Sequence, residues 1–268
     1  MTEPRPLHEL PRARLADVCG LMTDIDDTLT RGGAIEPAAL AALHALHEAG
    51  VPVLAITGRP LGWSEPFARD WPVRAIVAEN GAVALIGQGP PGRRRVAVEY
   101  AQDEATRRRN AGRLRAVAQR VLAEVAGTTL AQDSAGRVTD IAIDHSEFVQ
   151  LAPAAIAQVV AIMRGEGMNA TVSSIHINGW YGEHSKWTAA QWMLRRLFGR
   201  ELPPEIGRWV YLGDSTNDQL MFRHFPLAVG VANLRRFAAD LKIWPAYITQ
   251  AERGEGFAEL AQALLAAR

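Results

Sequence analysis

Cysteine occurs once in the 268 residues, at Cys19. A lone thiol excludes an internal disulfide and any zinc site built from several cysteines. It stands just before an apolar run, which suits a buried, inert side chain. Net charge is missing as well, because 29 basic residues balance 29 acidic ones. That balance removes overall attraction to nucleic acid or to an anionic membrane surface. No apolar run approaches the roughly 18 residues of a membrane-spanning helix. The first fourteen residues are polar, carry three prolines and have no signal-peptide core. Internal repeats and low-complexity tracts are absent. The expected compartment is therefore the cytoplasm, with neither nucleic acid nor a membrane as partner. Nothing in the sequence sets the oligomeric state.

What is present is a hydrophobic fraction of 48%, enough for a substantial core. Residues 1–16 read as a tail or an irregular lead. Short apolar runs at 18–25, 51–57 and 75–81 read as strands apolar on both faces, as in covered parallel sheets. Between the first two, Glu36 to Ala49 reads as a helix, with Pro37 at its start and Gly50 at its end. Strand, helix and strand make a right-handed βαβ unit. A short helix is expected at 63–69. Gly, Pro and Arg at 88–95 mark a boundary. Beyond it the pattern predicts a strand at 96–100, helices at 103–126 and 153–165, and half-wet strands at 137–144 and 169–178. The frame resumes near Trp187 with a helix to Phe198 and a buried strand at 209–212. A helix at 216–222, short strands at 227–231 and 246–249, and a helix at 257–267 follow. The fold class is α/β, a Rossmann-like parallel-sheet core with an inserted α+β unit. The expected division is a core of 1–84 and 183–268 around an insert of 85–182.

Polar residues end several of the core runs. Asp24 and Asp26, two apart, point the same way if the strand continues through them. Close carboxylates repel unless a proton or cation lies between them, and a hard cation such as Mg²⁺ takes carboxylates plus phosphate oxygens. The alternative is a loop of acids capping the next helix. Thr57-Gly58-Arg59 and Gly213-Asp214-Ser215-Thr216-Asn217-Asp218 end other runs, and ligands of open parallel sheets sit at these carboxyl ends. Lys186, at a helix start, can reach the same edge. Together these residue types suit phosphoryl transfer: a carboxylate nucleophile, a second carboxylate for proton transfer, and Lys and a metal for the spread negative charge.

Asp24-x-Asp26-x-Thr28-Leu29, Thr57-Gly58-Arg59, Lys186 and Gly213-Asp214-x-x-Asn217-Asp218 resemble the four motifs of the haloacid dehalogenase (HAD) superfamily. An insert between the second and third motifs resembles the type IIB, or Cof-type, arrangement with a C2 cap, as in sucrose-phosphate, trehalose-phosphate and mannosyl-3-phosphoglycerate phosphatases. The resemblance runs from Leu21 to the end. It implies Asp24 as nucleophile, Asp26 as general acid/base, Thr57 as phosphate binder and Lys186 as stabiliser of phosphate and nucleophile. It implies Mg²⁺ held by Asp24, Asp214, Asp218 and the backbone carbonyl of Asp26. The activity implied is hydrolysis of a phosphomonoester, a small metabolite such as a sugar phosphate or phosphorylated glycoside, through an aspartyl-phosphate. A sugar phosphomutase and a non-catalytic phospho-receiver or sugar-phosphate sensor are the alternatives. Asp27 stands where many relatives have Gly, and no role is assigned to it.

Further substrate contacts are expected from Gly58, Arg59, Asn80, Asn217 and the insert's Ser174, His176 and Asn178. The last three alternate with isoleucines and would share one face. Arg59 either touches substrate or pairs with a carboxylate such as Glu79, and Asn80-Gly81 is equally explained by turn chemistry. The insert is expected to close over the cleft on hinges at 82–92 and 179–185. His44 and His47 lack a third ligand nearby and read as a solvated helix face. The arginine runs 93–95 and 107–109 read as solvated charge. Trp187 and Trp192 read as packing for the helix that carries Lys186.

Overall fold

The apolar runs become the strands of one large sheet. The computed structural model describes residues 3–268. In chain order, β1 (Arg5–Pro6) and α1 (Arg12–Ala16) lead into β2 (Gly20–Thr23), a small ribbon of β3 (Thr30–Arg31) and β4 (Ala34–Ile35), and α2 (Pro37–Glu48). Then come β5 (Val53–Ile56), α3 (Leu61–Asp70), β6 (Ala75–Ala78), β7 (Val83–Gln88) and β8 (Arg95–Tyr100). The insert holds α4 (Glu104–Glu124), β9 (Thr129–Leu130), β10 (Asp140–Asp144), α5 (Pro153–Gly165), β11 (Asn169–Val172) and β12 (His176–Trp180). The chain finishes with α6 (Lys186–Phe198), α7 (Leu202–Glu205), β13 (Trp209–Gly213), α8 (Gln219–His224), β14 (Leu227–Gly230), β15 (Tyr247–Ile248) and α9 (Arg253–Ala266).

Among the described residues the large sheet runs β1-β15-β14-β13-β2-β5-β6-β7-β8. It is parallel from β1 to β6, while β7 and β8 add antiparallel. One face packs on α2 and α9 through Leu43, Leu46, Phe257, Leu260 and Leu264. The other packs on α6 and α8 through Ala190, Met193, Leu194, Met221 and Phe222. Both faces are covered, which is why the parallel strands are apolar throughout. The smaller sheet runs β11-β12-β10-β9. Its own core is formed with α4 and α5 by Leu114, Val117, Val121, Ile143, Val159, Met163 and Ile177. No helix among the described residues is long and apolar enough to cross a membrane.

Four sequence expectations change. Residues 5–16 are not a loose lead: β1 pairs with β15, and Leu7, Leu10 and Leu15 are buried. Met1 and Thr2 lie outside the described residues. The segment 82–92 is not a hinge, because Val83–Gln88 is paired on both sides within the large sheet. The separate layer thus begins after Tyr100 rather than at 85. The run 169–178 is two strands, since Ser173 turns the chain by accepting from the amides of Ile175 and His176. Finally, the polar faces of β10 and β12 are not wet. Asp140, Asp144, His176 and Asn178 are all buried, because that face is laid against the core.

Candidate active site

β2 is the central strand of the site, with β13 on one side and β5 on the other. All three are parallel, so the polar residues that follow them arrive at one edge. The amide of Asp24 donates to the Leu212 carbonyl at 2.9 Å, extending the β2–β13 pairing by one residue. After that the chain turns, and Asp24 and Asp26 go to different partners.

Asp24 accepts from Lys186 Nζ at 2.7 Å, and the same ammonium donates to Asp218 at 2.7 Å. Asn217 stands at 3.5 Å from that nitrogen. Lys186 is the first residue of α6, placed there by a capping box between Ser185 and Thr188. Burial, opposed by Lys186 and reinforced by Asp218 and Asp26, pushes the Asp24 carboxyl up to about 7. Burial works to lower Lys186, but the Asp218 and Asp24 carboxylates outweigh it and hold the ammonium above its ordinary value.

Asp218 is fully engaged. One oxygen takes Lys186 and the Tyr211 hydroxyl, and the other takes the amides of Asp214 and Ser215 at 3.0 and 3.2 Å. This loop closes only because residue 213 is glycine: a Cβ there would lie 2.5 Å from the Asp218 carboxylate. Asp214 is the opposite case. Oδ2 accepts from Asn233 at 3.3 Å, while Oδ1 is buried with no partner. Burial and the Asp24 and Asp218 charges push its carboxyl far up.

Asp24, Asp214 and Asp218 bring carboxylate oxygens within 4.8 Å of one another, and all three are buried. Three buried acids meet one lysine there. A hard divalent cation with oxygen ligands satisfies that imbalance, and the unpartnered Asp214 oxygen fits it as a ligand.

Asp26 belongs to a second cluster. Both its oxygens accept from Arg59 Nε, at 2.9 and 3.0 Å. The remaining guanidinium nitrogens reach Asp133 at 3.1 Å and Glu147 at 2.7 Å, both from the insert, and His176 closes the chain on Glu147 at 2.8 Å. Arg59 therefore pairs with Asp26, Asp133 and Glu147, and not with Glu79. Glu79 instead accepts the amides of Leu61, Val138 and Thr139. Burial raises the Asp26 carboxyl, against the pull of Arg59.

The other expected residues are placed as follows. Thr57 is buried at the end of β5, its hydroxyl oxygen taking the Arg59 amide at 3.0 Å. Gly58 presents its carbonyl to Arg137 at 2.9 Å and to Asn178 at 3.3 Å. Asn178 also donates to Asp140 at 3.2 Å. Asn80 is buried with φ +56° and an unpartnered Nδ2. Ser174 lies in the β11–β12 turn, away from the carboxylates' hydrogen bonds. Asn178 is thus already engaged between insert and core, and His176 is engaged by Glu147 within the insert. His44 and His47 are exposed, as are Arg93, Arg95, Arg108 and Arg109, but Arg94 is buried and donates to the Trp71 and Gly89 carbonyls at 2.8 and 3.0 Å. Trp187 stacks on His224 with ring centroids 4.1 Å apart.

Sequence reasoning missed Asp133, Glu147 and Asn233. Asn233 follows β14 at the same sheet edge and binds both Asp214 and the Asp27 carbonyl; its position after an apolar run was the available signal. Asp27 has φ +52° and a side chain bonded to Arg253 at the start of α9. The left-handed backbone explains why glycine suits this position.

Residues 21–90 match the family model for haloacid dehalogenase-like hydrolases. Compared with the curated proteins, the chain matches none. Solved structures share the fold across nearly their whole length. A Thermoplasma acidophilum protein is 14% identical with a TM-score of 0.69, covering 92% of this chain and 98% of its own. The sucrose-phosphatase of Synechocystis, solved with sucrose and phosphate, is 16% identical with a TM-score of 0.63, covering 91% and 97%. A sugar phosphatase of HAD subclass IIB is 16% identical with a TM-score of 0.58, covering 92% and 98%. Residues 21–90 are thus similar to haloacid dehalogenase-like hydrolases, and the chain shares the fold of these solved structures.

Proposed function

We propose that this hydrolase is a Mg²⁺-dependent phosphomonoesterase acting on a sugar phosphate or phosphorylated glycoside. The observation that carries the reading is the convergence of Asp24, Asp218 and the unpartnered Asp214 oxygen around Lys186 Nζ. The sugar-phosphatase neighbours support the substrate class.

Asp24 supplies the nucleophilic oxygen. Its bond to phosphorus forms as the bond to the leaving oxygen breaks, leaving an aspartyl-phosphate. Asp26 gives its proton to the leaving oxygen, then takes one from the water that cleaves the acyl phosphate. For this, one Asp26 oxygen must part from Arg59 Nε. Lys186 neutralises charge on both Asp24 and the transferring group, and Thr57, Gly58 and Asn217 border the phosphate position. Asp24, Asp214 and the Asp26 carbonyl would hold Mg²⁺, which supplies charge neutralisation for the phosphoryl oxygens, while Asp218, its oxygens already taken, holds Lys186 and the Asp214 loop in place. For Asn178, and for His176 through Glu147 and Arg59, the bonds favour fastening the insert over reading the substrate; the Ser174 hydroxyl has no partner.

Asp24→Asn removes the nucleophile. Phosphate release from any phosphomonoester should fall at least about 10³-fold, measured with Mg²⁺ present. Substantial residual turnover would sink the mechanism. Chelator should abolish wild-type release and added Mg²⁺ restore it.

A further inference from the structure

The large sheet has two ends of different character. At one, β1 is two residues long and finishes on Pro6, which has no amide to offer. At the other, β8 runs six residues, Arg95–Tyr100, without proline. Among the described residues it pairs on one side only, with β7, in a register unbroken by any bulge. Natural sheets blunt their edges with short strands, proline, bulges or charges, because an open strand templates pairing with another chain. The only such device on β8 is the pair Arg95 and Glu99, and these two are of opposite sign.

The free main-chain groups of β8 can be assigned. The Ala101 amide donates to the Ala82 carbonyl at 2.9 Å. Antiparallel bonds alternate along a strand, so Glu99, Ala97 and Arg95 turn their main-chain groups toward β7, while Tyr100, Val98 and Val96 turn theirs away. Among the described residues no turn, loop or side-chain hydrogen bond reaches the amides or carbonyls of these three. The side chains alternate too. Val96 and Tyr100 pack on the core of one sheet face, and Ala97 on that of the other, which it shares with Arg95 and Glu99. Val98, in the middle of the edge, is 40% exposed.

We infer that β8 is an interface for a second copy of this chain, the two strands pairing antiparallel about a two-fold axis at Ala97 and joining two sheets into one. Outward residues must face outward residues, so Val96, Val98 and Tyr100 pair among themselves. An axis at Ala97 sets Val96 opposite Val98 of the second copy, and Arg95 opposite its Glu99, twice over. An axis at Val96 or Val98 sets Arg95 or Glu99 opposite Ala97 instead, so only the axis at Ala97 joins opposite charges. The smallest side chain of the strand then occupies the closest pair, the non-hydrogen-bonded one on the axis. Glu99 already accepts from Arg196 Nε at 3.0 Å on both oxygens, and its remaining lone pairs serve Arg95 of the second copy. This self-complementarity favours a second copy over an unrelated extended peptide.

Sedimentation velocity of the protein over a range of concentrations should show a reversible dimer. Val98→Pro removes an outward amide and no bond to β7, a place where a strand tolerates proline. Its dimer dissociation constant should rise at least about ten-fold, with the circular dichroism unchanged. Arg95→Glu sets like charges opposite each other and should weaken the dimer in the same direction. The register is read separately by oxidation, in a Cys19→Ser background. Ala97→Cys should form an intermolecular disulfide with itself, because a non-hydrogen-bonded pair brings its Cα atoms within disulfide reach. Arg95→Cys, on the same face but opposite Glu99, should not. A wild type that stays monomeric throughout overturns the inference and leaves the edge to an extended peptide of another protein. A dimer that both Val98→Pro and Arg95→Glu leave intact, or that crosslinks Arg95→Cys as readily as Ala97→Cys, overturns it as well.

Discussion

Asp214 shows the cost of this site at the scale of one residue. Its Oδ1 is buried and unpaired, next to two other buried carboxylates. An uncompensated buried charge destabilises a fold unless a cation or proton arrives. Asp214→Asn keeps the shape and removes the charge. Without Mg²⁺ the variant should melt above the wild type, by a few degrees for about 1 kcal/mol in a chain of this size. With millimolar Mg²⁺ the wild type should gain stability and the variant should not, while turnover drops roughly 10²-fold or more. Equal melting of the two proteins in chelator would refute the account. His184 gives the second residue-scale prediction. Burial lowers its folded pKa from 6.5 to about 4. Between those values the unfolded chain binds the proton more readily, so stability present above pH 6.5 is lost as pH falls toward 4. The full loss is about 3 kcal/mol. In urea titrations at pH 7 and pH 4.5, His184→Phe should lose less stability than the wild type; parallel losses would contradict the assignment. Residues of this scale were partly legible in sequence. Asp24, Lys186 and Asp214 stood out because each ends a strand or opens a helix. Lys186 is moreover one of only two lysines in a chain otherwise furnished with arginine. Its compact ammonium meets two carboxylates at once where a planar guanidinium would demand more room. Asp133 and Glu147 were invisible, because only tertiary docking tells which of 29 acids will meet Arg59.

At the scale of elements, the placement of Lys186 depends on a contact across the sheet edge. Gly81, at φ +111°, lies under the N-terminus of α6, and a Cβ there would stand 2.3 Å from the Ser185 carbonyl. Neither the backbone angle nor the space admits a side chain. Gly81→Ala should therefore push the capped turn of α6 away from Asp24. The expected result is a fall in kcat of ten-fold or more with helix content by circular dichroism preserved. Wild-type kcat in that variant would show that α6 is positioned by other contacts. Helices with clear ends, such as 37–48 and 153–165, were legible because Pro at the start and glycine or polar residues at the end act locally. The errors arose where local signals were silent. Alternation of polar and apolar residues runs on either side of the turn and breaks only at Ser173-Ser174, so two strands looked like one. The Gly-Pro-Arg stretch at 88–95 looked like a domain boundary, although it is the hairpin loop joining β7 to β8.

At the scale of the whole molecule, the insert is fastened rather than loosely hinged. Arg137 and Asn178 both grip the Gly58 carbonyl, Thr216 donates to the Val172 carbonyl at 2.6 Å, and Arg59 reaches Asp133 and Glu147. Glu79 is the hub on the core side. Its carboxylate is wholly buried and accepts the amides of Val138 and Thr139, the Thr139 hydroxyl and the Leu61 amide. These bonds explain why the polar faces of β10 and β12 could not be read as dry: alternation reveals that a face is polar, not whether water or another layer covers it. They also limit closure by rotation of the insert, since any opening must expose this carboxylate and several main-chain amides together. Glu79→Gln tests that coupling. The amide nitrogen would confront a main-chain N–H, leaving buried donors unpaired at about 1–3 kcal/mol each. Amide hydrogen exchange at 137–144 and at Leu61 should accelerate strongly, while exchange in α2 and α9, on the far face of the sheet, stays near wild type. Uniform acceleration across the chain would mean that insert and core unfold as one unit. Unchanged protection at 137–144 would mean that the remaining contacts, led by Arg59 and Arg137, suffice to hold the insert over the carboxylates.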